Sequence, residues 1–183
     1  MTESYDPHSE YRQCSRGGAV YLVVEGFLWL LSAPLGSFGQ IPFAILVLMA
    51  GGMLIHPISL FVSRMAGLPT ISKANHLPVL NTWLALMIPL GLPLVFMATA
   101  GGHTNLFFPA FSILIGVHWL PFAYVYAMRS FVVAAGVFVL TGVVFGFKLT
   151  GSFFACGFVV GAILLTFALS NFLVVRHELR MRT

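Results

Sequence analysis

Six long apolar runs separated by short breaks constrain this chain more than any other feature. They lie near 18–35, 41–62, 79–100, 106–127, 130–147 and 152–175. Each is long enough to cross ~30 Å of hydrocarbon at ~1.5 Å per residue. A lipid-exposed backbone must satisfy its own hydrogen bonds, so such runs are read as helices. Hydrophobic residues make up 59 % and charged residues 8 % of the 183, whereas a soluble domain carries about a quarter charged residues. Mean hydropathy is +0.98. The expected fold is all-α: a polytopic bundle of six transmembrane helices, with a polar tail at 1–17 and a basic tail at 176–183.

The basic residues orient the bundle. With both tails on one side, that side collects Arg12, Arg16, Arg64, Lys73, Arg129, Arg176, Arg180 and Arg182, and the other side holds only Lys148. Lysine and arginine in short flanking loops favour the cytoplasm, so both termini are expected there. The net charge of +4 is spread singly over span ends. That is anchoring rather than a nucleic-acid surface, and the lipid bilayer is the first partner. The first apolar run is too long for a signal-peptide core of ~7–15 residues and is expected to remain as a span. The tail before it has few apolar residues and reads as disordered or loosely interfacial.

Glu25 is the only acid inside a span. Glu3, Asp6, Glu10 and Glu178 all sit in the tails. A carboxylate near mid-bilayer costs ~2.5–3.5 kcal/mol or more on insertion scales unless it is paired, protonated or wetted. Glu25 lies nine residues beyond Arg16, roughly 13 Å along a helix. His56 precedes Arg64 by about 12 Å and His118 precedes Arg129 by about 16 Å on the same rise. The three share the inner half of the bilayer, with Asn81 nearer the inner face. They are the candidate substrate or proton site.

Proline accompanies both histidines, Pro57 directly after His56 and Pro121 three residues after His118. Each proline removes a helix hydrogen bond, leaving the carbonyls of Met53 and Val117 without their usual partner. Broken helices of this kind line transporter sites. Prolines in membrane helices also simply set kinks, and a membrane histidine can simply bond a neighbouring backbone carbonyl. Pro89 and Pro93 interrupt the third run. Gly142 with Gly146, and Gly157 with Gly161, form small-residue faces that allow close helix approach within the chain or between copies of it.

Several chemistries lack their motifs. The chain has no HExxH, no GxSxG elbow and no phosphate-binding glycine loop. Cys14 and Cys156 are expected on opposite sides of the membrane, too far apart for a disulfide. Two membrane histidines could ligate haem iron, but no basic pair stands ready for the propionates. No cofactor is expected, and the question of a metal stays open.

The stretch GVHWLPFAYVYAMRSF, residues 116–131, carries Gly116, His118, Leu120, Pro121 and Phe122, then Tyr124, Tyr126 and an Arg129-Ser130-Phe131 turn. It resembles the signature stretch of a family of small bacterial multispan proteins known only by a numbered domain of unknown function. The resemblance implies a bacterial inner-membrane protein and transfers no activity and no functional residue.

The leading expectation is a small-molecule or ion transporter with a cytoplasm-facing polar site, proton coupling being its specific form. Glu25 would accept the proton or cation, with His56 and His118 solvating or relaying charge. The alternative is a non-transporting membrane sensor or assembly protein in which the same residues form an internal hydrogen-bond network. An intramembrane enzyme ranks third. Whether the chain forms a homo-oligomer stays open.

Overall fold

The computed structural model describes residues 5–149 and 153–181. Glu3, Arg182 and residue 152, the expected start of the sixth span, lie outside them. A short helix α1 (Pro7–Cys14) precedes the membrane helices α2 (Ala19–Ser37) and α3 (Ile41–Met65). The third span is divided into α4 (Leu77–Ala85) and α5 (Met87–Thr99), and the fourth into α6 (Phe107–Trp119) and the single turn α7 (Phe122–Val125). Helices α8 (Ser130–Phe147) and α9 (Phe153–Arg180) complete the bundle. Among the described residues, six segments are long and apolar enough to cross a membrane, at 16–36, 41–65, 77–102, 104–125, 130–147 and 154–180. The all-α six-span expectation holds, with boundaries shifted by a few residues.

Proline chemistry explains both divided spans. Pro89 has no N–H to offer Ala85, four residues earlier, and α4 ends at Ala85. Pro121 likewise ends α6, but the Val117 carbonyl is not left bare: it accepts from the Leu120 N–H at 3.3 Å. A tighter turn has absorbed the missing bond. Pro57, by contrast, lies inside an unbroken α3.

Apolar side chains gain little by leaving lipid for one another, so membrane helices associate through close packing and interhelical hydrogen bonds. Helix α2 packs along α9 on one side and α3 on another. The α2–α9 approach is made by Gly26 against Gly161 and by Gly157 against Ala33: a Cβ at Gly26 would sit 2.9 Å from Leu165, and one at Gly157 would sit 2.9 Å from Ala33. Helix α6 packs along α8 through Gly116 and Gly142. Two serines add cross-helix bonds, Ser32 donating to the Ala44 carbonyl at 2.6 Å and Ser112 to the Phe138 carbonyl at 2.8 Å. Three of the four glycines singled out from the sequence therefore pack within the chain. Gly146 meets only the Pro109 side chain, at an ordinary 3.6 Å.

Aromatic rings fill the contacts that α6 makes with Trp29 of α2 and with α8. Trp29 is fully buried and stacks on Phe111, with ring centroids 5.5 Å apart, and also touches Phe108. Nearer the arginine-rich end, Trp119 stacks on Phe131, which stacks in turn on Tyr126. The outer surfaces of α3 and of the α4–α5 span stay largely uncovered.

The α6–α8 contact gives a sharp test. A Cβ at Gly142 would lie 2.5 Å from the Pro109 carbonyl oxygen, a backbone atom that cannot rotate away, whereas one at Gly136 on the same helix meets nothing within 4 Å. Gly142→Ala is expected to destabilise the protein by about 1–3 kcal/mol through overpacking. Gly136→Ala should leave thermal melting in detergent unchanged or raise it, since alanine is the better helix former. Equal melting temperatures for the two variants would contradict this packing.

Candidate functional site

From Tyr5 on, the N-terminal tail is not the loose segment its polarity implied. Asp6 caps α1 by accepting from the His8 N–H at 3.0 Å, and Pro7 occupies the first helical position. The helix then seals the basic face of the bundle through polar contacts with three separate segments. The Glu10 carboxylate accepts from the Ser72 N–H and the Asn75 amide, both at 2.8 Å, and from the Tyr5 hydroxyl at 2.7 Å. Arg12 pairs with Glu178 of α9 at 3.1 Å and donates to the carbonyls of Tyr126 and Ala127. Tyr11 is buried against Tyr126, its centroid 5.2 Å away. Composition missed this helix because its partners lie more than 60 residues away.

The chain then turns into α2 through Arg16, Gly17 and Gly18, all at positive φ. Gly17 is needed there on two counts. Its φ of 64° is left-handed, and a Cβ would lie 3.0 Å from the Met128 sulfur and 3.2 Å from Val175. Its carbonyl accepts from the buried Asn171 amide at 3.0 Å. Asn171 is thereby tied to the backbone, and the turn fixes how α2 enters the bundle.

One turn into α2, Tyr21 reaches α3. Its hydroxyl lies 3.0 Å from His56 Nδ1 and donates when that nitrogen is unprotonated. One turn further stands Glu25, buried at 8 % exposure, and one turn beyond that Trp29, its hydrogen-bonding neighbour. Tyr21, Glu25 and Trp29 are spaced by four, so they form one row along α2 that runs from half-buried Tyr21 to buried Glu25 and Trp29. This spacing was readable in the sequence once Glu25 was chosen as the reference.

The expected site residues are only partly brought together. His56 lies exposed on α3 and bonds Tyr21, one turn before Glu25, but among the described residues no hydrogen bond links Tyr21 or His56 to Glu25. His118 packs edge-on against Phe122, centroids 5.0 Å apart, and its Nδ1 is buried without a hydrogen-bond partner. Among the described residues, no hydrogen bond or ion pair joins Glu25 to either imidazole, and no cation lies within ion-pair distance of Glu25. Asn81 is buried in α4, Pro57 lies exposed within α3, and Pro121 precedes α7. No group of three histidine, cysteine or acidic side chains among the described residues is placed to hold a metal ion.

Such a row has definite chemistry. A buried carboxyl without a cation is tolerated when protonated, and a phenol bonded to an imidazole can pass a proton along its hydrogen bond. Among the described residues, six helices long and apolar enough to cross a bilayer, one of them carrying a buried acid, define a multi-pass integral membrane protein. Residues 6–174 match the model of a family of unknown function, DUF7010, and the chain belongs to that family. No curated protein and no solved structure matches the chain.

The docking of α1 should depend on pH through Glu10. Its bond from Asn75 holds the Glu10 carboxyl below its ordinary value of 4.5. A lowered folded-state pKa contributes stability above the unfolded value and loses it as pH falls through the folded one. Hydrogen exchange at the Ser72 amide should therefore speed up, relative to intrinsic exchange, as pH drops below about 4.5. Glu10→Gln should remove that dependence. Persistence of the same dependence in Glu10→Gln would contradict the assignment.

Proposed function

We propose that the protein is a small-molecule or ion transporter of the bacterial inner membrane, with both termini in the cytoplasm and Glu25 as its proton- or cation-accepting position. The observation that carries this reading is a buried carboxyl in the interior of a six-span bundle with no cation beside it among the described residues. An acid kept at membrane depth without a structural counter-charge is a functional position by default. Tyr21, bonded to His56, stands one turn from Glu25 on the side of the basic face, and in this reading the pair would exchange a proton with Glu25. His118, with an unpartnered ring nitrogen in the fourth span, supplies a further polar atom for a translocated species. The eight-to-one distribution of lysine and arginine supports the cytoplasmic placement of the basic face, and the resemblance at residues 116–131 supports the bacterial one.

A second reading has its own support. The third span and α3 leave broad apolar surfaces uncovered, as expected of a non-transporting sensor or assembly protein that packs against further copies of itself. Glu25 would then be one member of an internal network.

Reconstituted vesicles with an internal pH dye, screened with alkali cations, organic acids and amines, separate the two. Transport predicts that one class drives an internal pH change and that Glu25→Gln abolishes it. Full activity in Glu25→Gln overturns the proton role. If no class moves protons and Glu25→Gln changes only melting temperature or oligomeric state, the second reading replaces the first.

A further inference from the structure

The side of α2 opposite Glu25 carries a feature that transport does not use. Helices α2, α3 and α9 enclose a groove of about 970 Å³. Its floor is made of small residues, among them Ala19, Ala50 and Gly51, and its walls of large ones such as Phe27, Leu54 and Phe172. Those three wall residues are all exposed, so the groove opens sideways into the bilayer. Gly51 keeps the floor closed, because a Cβ there would overlap the Leu28 side chain that seats α2 on α3. Along α3 the groove runs from Val62 back to Val47, roughly 22 Å at the helical rise and thus at least one leaflet deep, given ~30 Å of hydrocarbon.

The basic-face end of this groove is cationic. Gly17, two residues before the groove residue Ala19, packs so close to α9 that a Cβ there would lie 3.2 Å from Val175. The sequence neighbours of that pair are Arg16 and Arg176. Arg176 is exposed and stands one turn beyond the groove residue Phe172. Neither guanidinium makes a hydrogen bond or ion pair among the described residues, in contrast to that of Arg12, which is engaged by Glu178. Two such arginines at the headgroup end of an apolar groove complement a lipid with an anionic head and an acyl chain. Basic sites between spans on the cytoplasmic side bind anionic headgroups in this way.

We infer that the α2–α3–α9 groove is a binding site for one anionic phospholipid, its chain lying over Ala50 and Gly51 and its phosphate held by Arg16 and Arg176. The bound lipid would cover apolar surface on α2 and fill the gap between α3 and α9, which touch α2 on different sides.

Native mass spectrometry of the purified full chain, supplied in turn with dioleoyl phosphatidylglycerol and dioleoyl phosphatidylcholine, tests this inference. The wild type is expected to retain phosphatidylglycerol in preference, one molecule per chain. Arg16→Gln with Arg176→Gln should lose about tenfold or more of that preference, given ~1 kcal/mol per arginine near the surface. Lys148→Gln, at the other end of the bundle, should keep it. Ala50→Phe alters an exposed groove residue and should reduce retention of both lipids. If the double variant does not fold, Arg176→Gln alone, at an exposed position, carries the test with a smaller loss. Equal retention of the two lipids by the wild type, an unchanged preference in the arginine variants, or full retention by Ala50→Phe would each overturn the assignment. None of these outcomes depends on whether Glu25 moves protons.

Discussion

Close backbone approach between membrane helices is the constraint on which the rest of this structure depends. Lipid tails are as apolar as leucine, so a leucine gains little by turning inward. What holds the bundle is contact at distances that only glycine permits, Gly26 and Gly157 with Gly161 between α2 and α9, and Gly116 with Gly142 between α6 and α8. Those two helix pairs fix the planes within which everything else is placed. Trp29 fills the space between them against Phe108 and Phe111. Glu25, one turn from Trp29, is thereby set on the interior side of α2, away from lipid.

The polar end of the molecule solves a different problem. Six spans leave connecting segments whose backbone groups need partners, and α1 supplies many of them from one short helix. Glu10 holds the 72–75 segment and Arg12 holds both the 126–127 turn and α9. The Gly17–Gly18 turn carries this constraint into α2. The row Tyr21, Glu25, Trp29 is therefore anchored at its basic-face end by α1 and at its other end by the aromatic core. The same anchoring sets Gly17 close to Val175, the chain neighbours of Arg16 and Arg176, near the groove residues Ala19 and Phe172. One face of α2 serves the interior and the other serves the bilayer.

The span count was legible because hydropathy and helix length are local properties, and the solitary acid was legible because nothing near it in sequence could neutralise it. The docking of α1 was not. Its residues look disordered by composition, and only partners more than 60 positions away make the helix worthwhile. The sharing of one depth by Glu25, His56 and His118 was readable from arithmetic along the helices, but depth says nothing about rotation. Tyr21 takes His56 as its partner, while His118 turns toward Phe122. The Val117 carbonyl shows a similar limit: proline removes a donor predictably, but a tightened turn supplies another.

Infrared difference spectroscopy observes directly whether Glu25 exchanges a proton inside the bundle, as proposed. Spectra of the protein in bilayers, recorded across a pH titration, should contain a carboxylic C=O band that rises and falls reversibly and is missing from Glu25→Gln. A titrating spectrum identical in the wild type and Glu25→Gln would show that this carboxyl keeps one protonation state throughout, and would contradict its role as the proton-accepting position.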